Sequence, residues 1–145
     1  MGFVNDLNAG KEVENEFAEW LHFHPSGLLA CININAAPDK YHPEFDINAQ
    51  ATFEIKADFA SKKYGNFCFE EAGLNKTEAT HYVYKYWEKG SEQSYFIIFK
   101  TEQLKQDIQK HLNNAVKVVK GGDGNRQTLY IYSISYVRKN FRYIY

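Results

Sequence analysis

Between Ala51 and Phe59, apolar and polar side chains alternate. Phe53, Ile55, Ala57 and Phe59 hold one set of positions, and Glu54, Lys56 and Asp58 hold the other. A strand turns successive side chains to opposite faces. This stretch is therefore predicted to be a strand with one apolar face and one face carrying an acid, a lysine and a second acid. A further carboxylate, Asp46, sits on the preceding apolar run. The polar link Asn48-Ala49-Gln50 is short enough to bring it back beside Glu54 as a bent or paired strand.

Two carboxylates and a lysine have a joint chemical use. Hard cations such as magnesium take oxygen ligands, typically one or two carboxylates with waters and substrate phosphate. A metal so held polarises a phosphoryl oxygen and makes a bound water more acidic. An ammonium alongside positions that water or offsets charge developing on the phosphate. A lysine titrates near 10.4 in isolation, so a base role for Lys56 would need a large downward shift. Positioning and electrostatics are the expected role. The same alternation also describes an ordinary solvated sheet face, and spacing alone does not separate the two.

The chain of 145 residues fits a single domain, 1–145. Its net charge of −1 excludes a broadly basic nucleic-acid binder. Any such contact must come from a local patch, with Lys62, Lys63, Asn66 and Arg126 as candidates and Lys117, Lys120, Arg138, Lys139 and Arg142 as further scattered cations. Cys31 and Cys68 are too few for a disulfide framework and read as buried reduced thiols. No signal peptide is apparent and no apolar run approaches the roughly twenty residues of a membrane helix, so a cytoplasmic protein without membrane contact is expected.

Residues 8–24 are predicted to be a helix, with Val13, Phe17, Trp20 and Leu21 as its buried stripe and Glu12, Glu14, Glu16 and Glu19 around it. Glu14 borders the buried face and is the acid best placed to be aimed at the site. Strands are expected at 28–34, 45–47, 51–59, 67–70, 82–87, 94–100, 116–119 and 128–137. A loop is expected at 35–43 and a basic turn at 61–66. Thr77 is expected to cap a short helical turn that follows it, and Thr101 to cap a helix reaching Asn113-Asn114. The glycine cluster 121–124 lies between strands and reads as a turn, not a phosphate-binding loop. This order implies an α+β or α/β domain with one central mixed sheet flanked by helices. His22, His24, His42, His81 and His111 lack the spacing of a structural zinc site. Tyr130, Tyr132, Tyr136, Tyr143 and Tyr145 are expected to be partly buried strand residues or a dimer surface, with stacking on bases as the alternative.

Pro43-Glu44-Phe45-Asp46 followed by Glu54-Ile55-Lys56, with an acidic helix upstream, resembles the PD-(D/E)XK nuclease superfamily. It also looks like the small phage-type and Holliday-junction-resolvase-like members of that superfamily. Ala57-Asp58, Gly65-Asn66-Phe67, Phe69-Glu70, Gly73-Leu74 and the run from Tyr95 into Thr101-Glu102-Gln103-Leu104 extend the likeness over about residues 10–135. The proline stands three residues before the aspartate. The resemblance implies the restriction-endonuclease-like fold and a magnesium-dependent deoxyribonuclease, with manganese as a substitute ion. It implies Asp46 and Glu54 as metal-binding carboxylates, Lys56 as the motif lysine and Glu14 as the helix acid. Glu12 and Glu16 rival Glu14, while Asp58 and Glu70 are possible accessory groups. DNA is the implied partner, and a homodimer would suit a chain with little surface to grip a duplex. A junction-specific or other structure-specific nuclease, and a non-catalytic nucleic-acid-binding or assembly module, are the alternatives.

Overall fold

The computed structural model describes residues 3–23, 37–38, 47–48, 52–121 and 127–145. The elements are helix α1 (Phe3–Phe23), strands β1 (Ala37–Pro38), β2 (Ile47–Asn48) and β3 (Thr52–Asp58), α2 (Ser61–Tyr64), β4 (Asn66–Glu70), α3 (Glu71–Lys76), β5 (His81–Trp87), β6 (Ser94–Lys100), α4 (Thr101–Lys110), β7 (Lys117–Gly121), β8 (Gln127–Ser133) and α5 (Ile134–Asn140). The expected strand at 28–34 and most of the strand at 45–47 lie outside the described residues, and the part of the expected loop 35–43 that is described, Ala37–Pro38, is strand β1, paired antiparallel with β2.

The mixed α+β composition agrees with expectation, but the single sheet does not. One sheet has the order β1-β2-β3-β5-β6, and a second, three-stranded sheet has the order β4-β8-β7. In the first, β2–β3 and β5–β6 are antiparallel and β3–β5 parallel. Parallel neighbours need a crossover, and here it is made by α2, β4 and α3. The parallel register is pinned at both ends. Thr52 and Thr80 exchange backbone N–H to hydroxyl bonds of 3.0 and 2.9 Å. At the far end, the buried Ser61 hydroxyl donates to the Asp58 carbonyl at 2.6 Å and accepts from the Trp87 N–H at 2.8 Å.

The apolar face of β3 packs under α1. Val13, Phe17 and Ala18 of the helix bury against Phe53, Ile55, Val83 and Ile98, as the helical stripe and strand alternation require. The opposite face meets the second sheet. Phe67, Phe69, Tyr130 and Tyr132 pack there against Tyr82, Tyr84, Tyr86, Ile97 and Phe99, joined by Leu74, Leu104, Ile108, Val137 and Phe141 from the helices and tail. Phe69 is fully buried and sits at ring-contact distance from Phe67, Tyr84, Phe99, Tyr132 and Phe141. Alternation at β4 marks it as a strand, but the pattern is the same whichever sheet it joins.

Several local expectations are corrected. The span 128–137 is not one strand: β8 stops at Ser133, whose hydroxyl accepts from the Tyr136 N–H at 3.2 Å and caps α5. The basic turn at 61–66 contains the single-turn helix α2, closed by Gly65 at φ 70°, a left-handed conformation that suits glycine. The helical turn near Thr77 precedes it: Thr77 ends α3, and its hydroxyl accepts from the Ala79 N–H at 3.1 Å. Lys100, not Thr101, is the N-cap of α4, because β6 runs into the helix without a loop and Thr101 donates its N–H to the Thr80 carbonyl at 3.0 Å. Lys117–Gly121 and Gln127–Ser133 pair antiparallel, so the glycine-rich segment does connect two strands.

The last residues are tied down. Asp107, 4% exposed, accepts from the Arg142 backbone N–H at 2.8 Å and pairs with its guanidinium at 3.0 Å. Ile144 then donates to the Ile98 carbonyl at 2.8 Å and Ile98 to the Tyr145 carbonyl at 3.3 Å, extending the first sheet beyond β6. Arg142 is therefore occupied by an ion pair that spacing did not reveal. Removing the Phe69 ring leaves a cavity at the junction of both sheets. Phe69→Ala is expected to lower stability by about 3–5 kcal/mol in urea denaturation, and a loss below about 1 kcal/mol would contradict this packing.

Candidate functional site

The polar face of β3 is covered but not sealed. Glu54 and Lys56 form an ion pair at 3.1 Å, with side chains 17% and 36% exposed. Parallel pairing sets Glu54 beside Tyr82, Lys56 beside Tyr84 and Asp58 beside Tyr86. A small cavity of about 120 Å³ opens here, lined by Lys56, Ala57, Asp58, Cys68, Glu70 and Tyr84. Charged groups of both signs thus meet an aromatic wall at the crevice between the two sheets.

The electrostatics fix the protonation states. Burial works against the Lys56 ammonium, but Tyr82 once ionised, Glu54 and Glu70 together raise its pKa above the ordinary value. Lys56 is therefore a cation at neutral pH and a hydrogen-bond donor, not a base. Burial also raises the phenol of Tyr82 to about 12 and that of Tyr84 well above its ordinary value, so both stay neutral. Burial, with Asp58 and Glu70 nearby, pushes the Cys68 thiol up to about 11, which leaves it no thiolate character. The Tyr82 hydroxyl is buried without a hydrogen-bond partner among the described residues. It closely approaches α3: a Cβ on Gly73 would lie 3.0 Å from it.

Asp58 has a structural task. Its carboxylate accepts from the Cys68 N–H at 2.9 Å, tying the end of β3 to the backbone of β4 and so one sheet to the other. Burial, the largest influence, raises its pKa to about 6 despite hydrogen bonds that favour the anion. The accessory place expected for Asp58 is thus a joint between sheets bordering the cavity, and Glu70 lines the cavity from β4.

The other expected residues divide. Asp46 and Arg126 lie outside the described residues. Ile47, which follows Asp46 in sequence, pairs with Phe53, which precedes Glu54, so the short link does return the chain antiparallel to β3. Glu14 is half-buried on α1, one turn before Phe17 and Ala18. Glu16 pairs with Lys85, and Lys85 stands opposite Ala57 in the ladder, on the face turned away from Glu54 and Lys56. Glu12 is exposed. Lys62 pairs with Glu92 and Lys63 lies 5.1 Å from the Tyr64 ring centre, while Asn66 lines an adjoining, more apolar cavity with Tyr64 and Val116, which shares Asp58 and Cys68 with the first. Among the described residues no three His, Cys, Asp or Glu side chains converge to hold a metal ion.

Tyr82 and Tyr84 were not anticipated as site residues. Their signal was the repeat Tyr82-Tyr84-Tyr86, which puts three phenols on one strand face; only the parallel register with β3 sets that face beside Glu54 and Lys56. No helix of the described residues is long and apolar enough to cross a membrane. Comparison with family models, curated proteins and solved structures gives no match.

The raised Asp58 pKa gives a stability signature. The folded state binds a proton more tightly than the unfolded chain, so stability falls as pH rises from about 4 through about 6. Asp58→Asn keeps an acceptor for Cys68 without the charge. It is expected to exceed wild type by up to about 3 kcal/mol at pH 7.5 and to match it near pH 4, read by urea denaturation. A variant less stable than wild type at pH 7.5 would contradict the cost assigned to the buried carboxylate.

Proposed function

We propose that this protein is a metal-dependent endonuclease of the PD-(D/E)XK kind, hydrolysing DNA phosphodiester bonds at the Glu54–Lys56 crevice. The observation that carries the reading is the ion pair itself, a carboxylate and an obligate ammonium 3.1 Å apart beside an open cavity. The antiparallel return of β2 beside β3 supports the inclusion of Asp46.

The donor set suits a hard cation. Glu54 offers carboxylate oxygens at a half-buried position, and Mg²⁺ commonly uses one or two carboxylates with water and phosphate as its remaining ligands. Asp46 and Glu54 would hold it, and Mn²⁺ would substitute. Such an ion would supply a polarised phosphoryl oxygen and a more acidic bound water. Lys56 donates hydrogen bonds to the attacking water or to the phosphate oxygens as their charge grows. The water oxygen forms the new bond to phosphorus, the bond from phosphorus to the leaving oxygen breaks, and that oxygen leaves with a proton. Glu14 is held in reserve as the helix acid. DNA as substrate and a homodimer as the working form belong to the same proposal.

A panel of single-stranded, linear duplex, flapped and four-way-junction DNA tests it. Cutting is expected with Mg²⁺ or Mn²⁺ and none with EDTA. Lys56→Ala, Glu54→Gln and Asp46→Asn are each expected to lower the rate by about a hundredfold or more. Preference for the junction would select a resolvase-type enzyme. Folded wild type that binds DNA with steep salt dependence but never cuts would instead favour a binding module. Cutting that persists in EDTA would exclude the metal-dependent mechanism.

A further inference from the structure

A further cavity, of about 320 Å³, lies where β6 meets α5 and the tail. It is lined by Tyr86, Tyr95, Phe96, Ile97, Arg138 and Tyr145. That volume is within the range of small-molecule pockets, about 300–1,000 Å³. Tyr86 and Tyr95 turn their rings to one face of the β5–β6 pair, whereas Phe96 turns its ring to the other face, against Phe17 and Trp20, and borders the cavity from the strand itself. Tyr95 and Tyr145 are each 39% exposed, which leaves ring surface available to a ligand. Tyr86 and Tyr95 face each other across the β5–β6 ladder with ring centres 5.7 Å apart. Tyr145, at the same edge, is held against Trp20 at 4.9 Å and by the Ile98 backbone.

The one charged residue in this wall is Arg138. Its guanidinium donates to the Tyr86 hydroxyl and lies beside the Tyr143 hydroxyl. Among the described residues its partners are phenols, and no carboxylate pairs with it. Arg142, four residues on, is by contrast neutralised by Asp107. Arg138 thus keeps a full positive charge at an aromatic pocket. A guanidinium presents a planar fork suited to phosphate, and aromatic rings stack on any nucleobase.

We infer that the pocket of Tyr86, Tyr95, Tyr145 and Arg138 binds a nucleotide unit, its base against the tyrosines and its phosphate on the Arg138 guanidinium. The unit is either a free mononucleotide or an unpaired nucleotide of a strand. The inference does not rest on catalysis at Glu54 and Lys56. A chain that binds here and never cuts upholds it and sinks the nuclease reading.

The test is fluorescence anisotropy of a dye-labelled short oligothymidylate at low salt in EDTA, with thymidine monophosphate as competitor and circular dichroism to confirm folding. Saturable binding is expected. Arg138→Ala and Tyr95→Ala should each weaken it at least about fivefold, while Tyr95→Phe should bind as wild type does. Lys76→Ala, which removes an equal charge from an exposed site on α3, should leave affinity unchanged. Tyr95 is exposed on β6, so its two variants decide the matter even if Arg138→Ala fails to fold. Displacement by the mononucleotide marks a free-nucleotide site, and its failure to displace a bound strand marks recognition within a polymer. Absence of saturable binding by folded wild type, or equal weakening by Lys76→Ala, overturns the inference.

Discussion

Strand β3 has both faces covered, yet one face carries Glu54, Lys56 and Asp58. Much of the structure follows from reconciling those facts. Burying a charge is costly unless it is paired and hydrogen-bonded. Asp58, the most buried of the three, is met by the Cys68 N–H and becomes the joint between sheets. Glu54 and Lys56 meet each other at the mouth of the crevice, where water still reaches them. The apolar face under α1 supplies the burial that lets β3 hold these groups in place. The Thr52–Thr80 bonds and the Ser61 bridge hold β3 and β5 in the register that sets the tyrosines beside the charges.

This explains what the sequence disclosed. Alternation at Phe53, Ile55 and Ala57 and the stripe of Val13 and Phe17 report local periodicity, so β3 and α1 could be read directly. The β5–β6 hairpin and α4 were legible for the same reason. The second sheet was not, because pairing of β4 with β8 joins strands some sixty residues apart and leaves no local mark. Ser133 and Thr101 show the limit of capping residues. Each is a competent cap, but the one beginning α5 is used and the other sits inside α4, where the chain passes from strand to helix without a loop.

At the site, the side-by-side placing of Glu54 and Lys56 was legible from period-two geometry, and the charge state of Lys56 was anticipated from its chemistry. The role of Asp58 was not, since its partner is a backbone N–H on a strand of the other sheet. The cationic candidates also separated by environment. Lys62 and Arg142 are engaged by Glu92 and Asp107, while Arg138 faces phenols. Both cavities draw on β5, with Tyr84 in the wall of the charged crevice and Tyr86 in the aromatic one. Alternate residues of one strand therefore join the two proposed sites.

The central claim is that Glu54 belongs to a cation site on the polar face of β3. Electron paramagnetic resonance of Mn²⁺ during titration with the protein reads it directly, because bound ion loses the signal of the free aquo ion. Wild type is expected to take up Mn²⁺ saturably, Glu54→Gln and Asp46→Asn to lose that uptake, and Lys56→Ala to retain it. Equal uptake by wild type and both carboxylate variants, or none by folded wild type, would contradict the account.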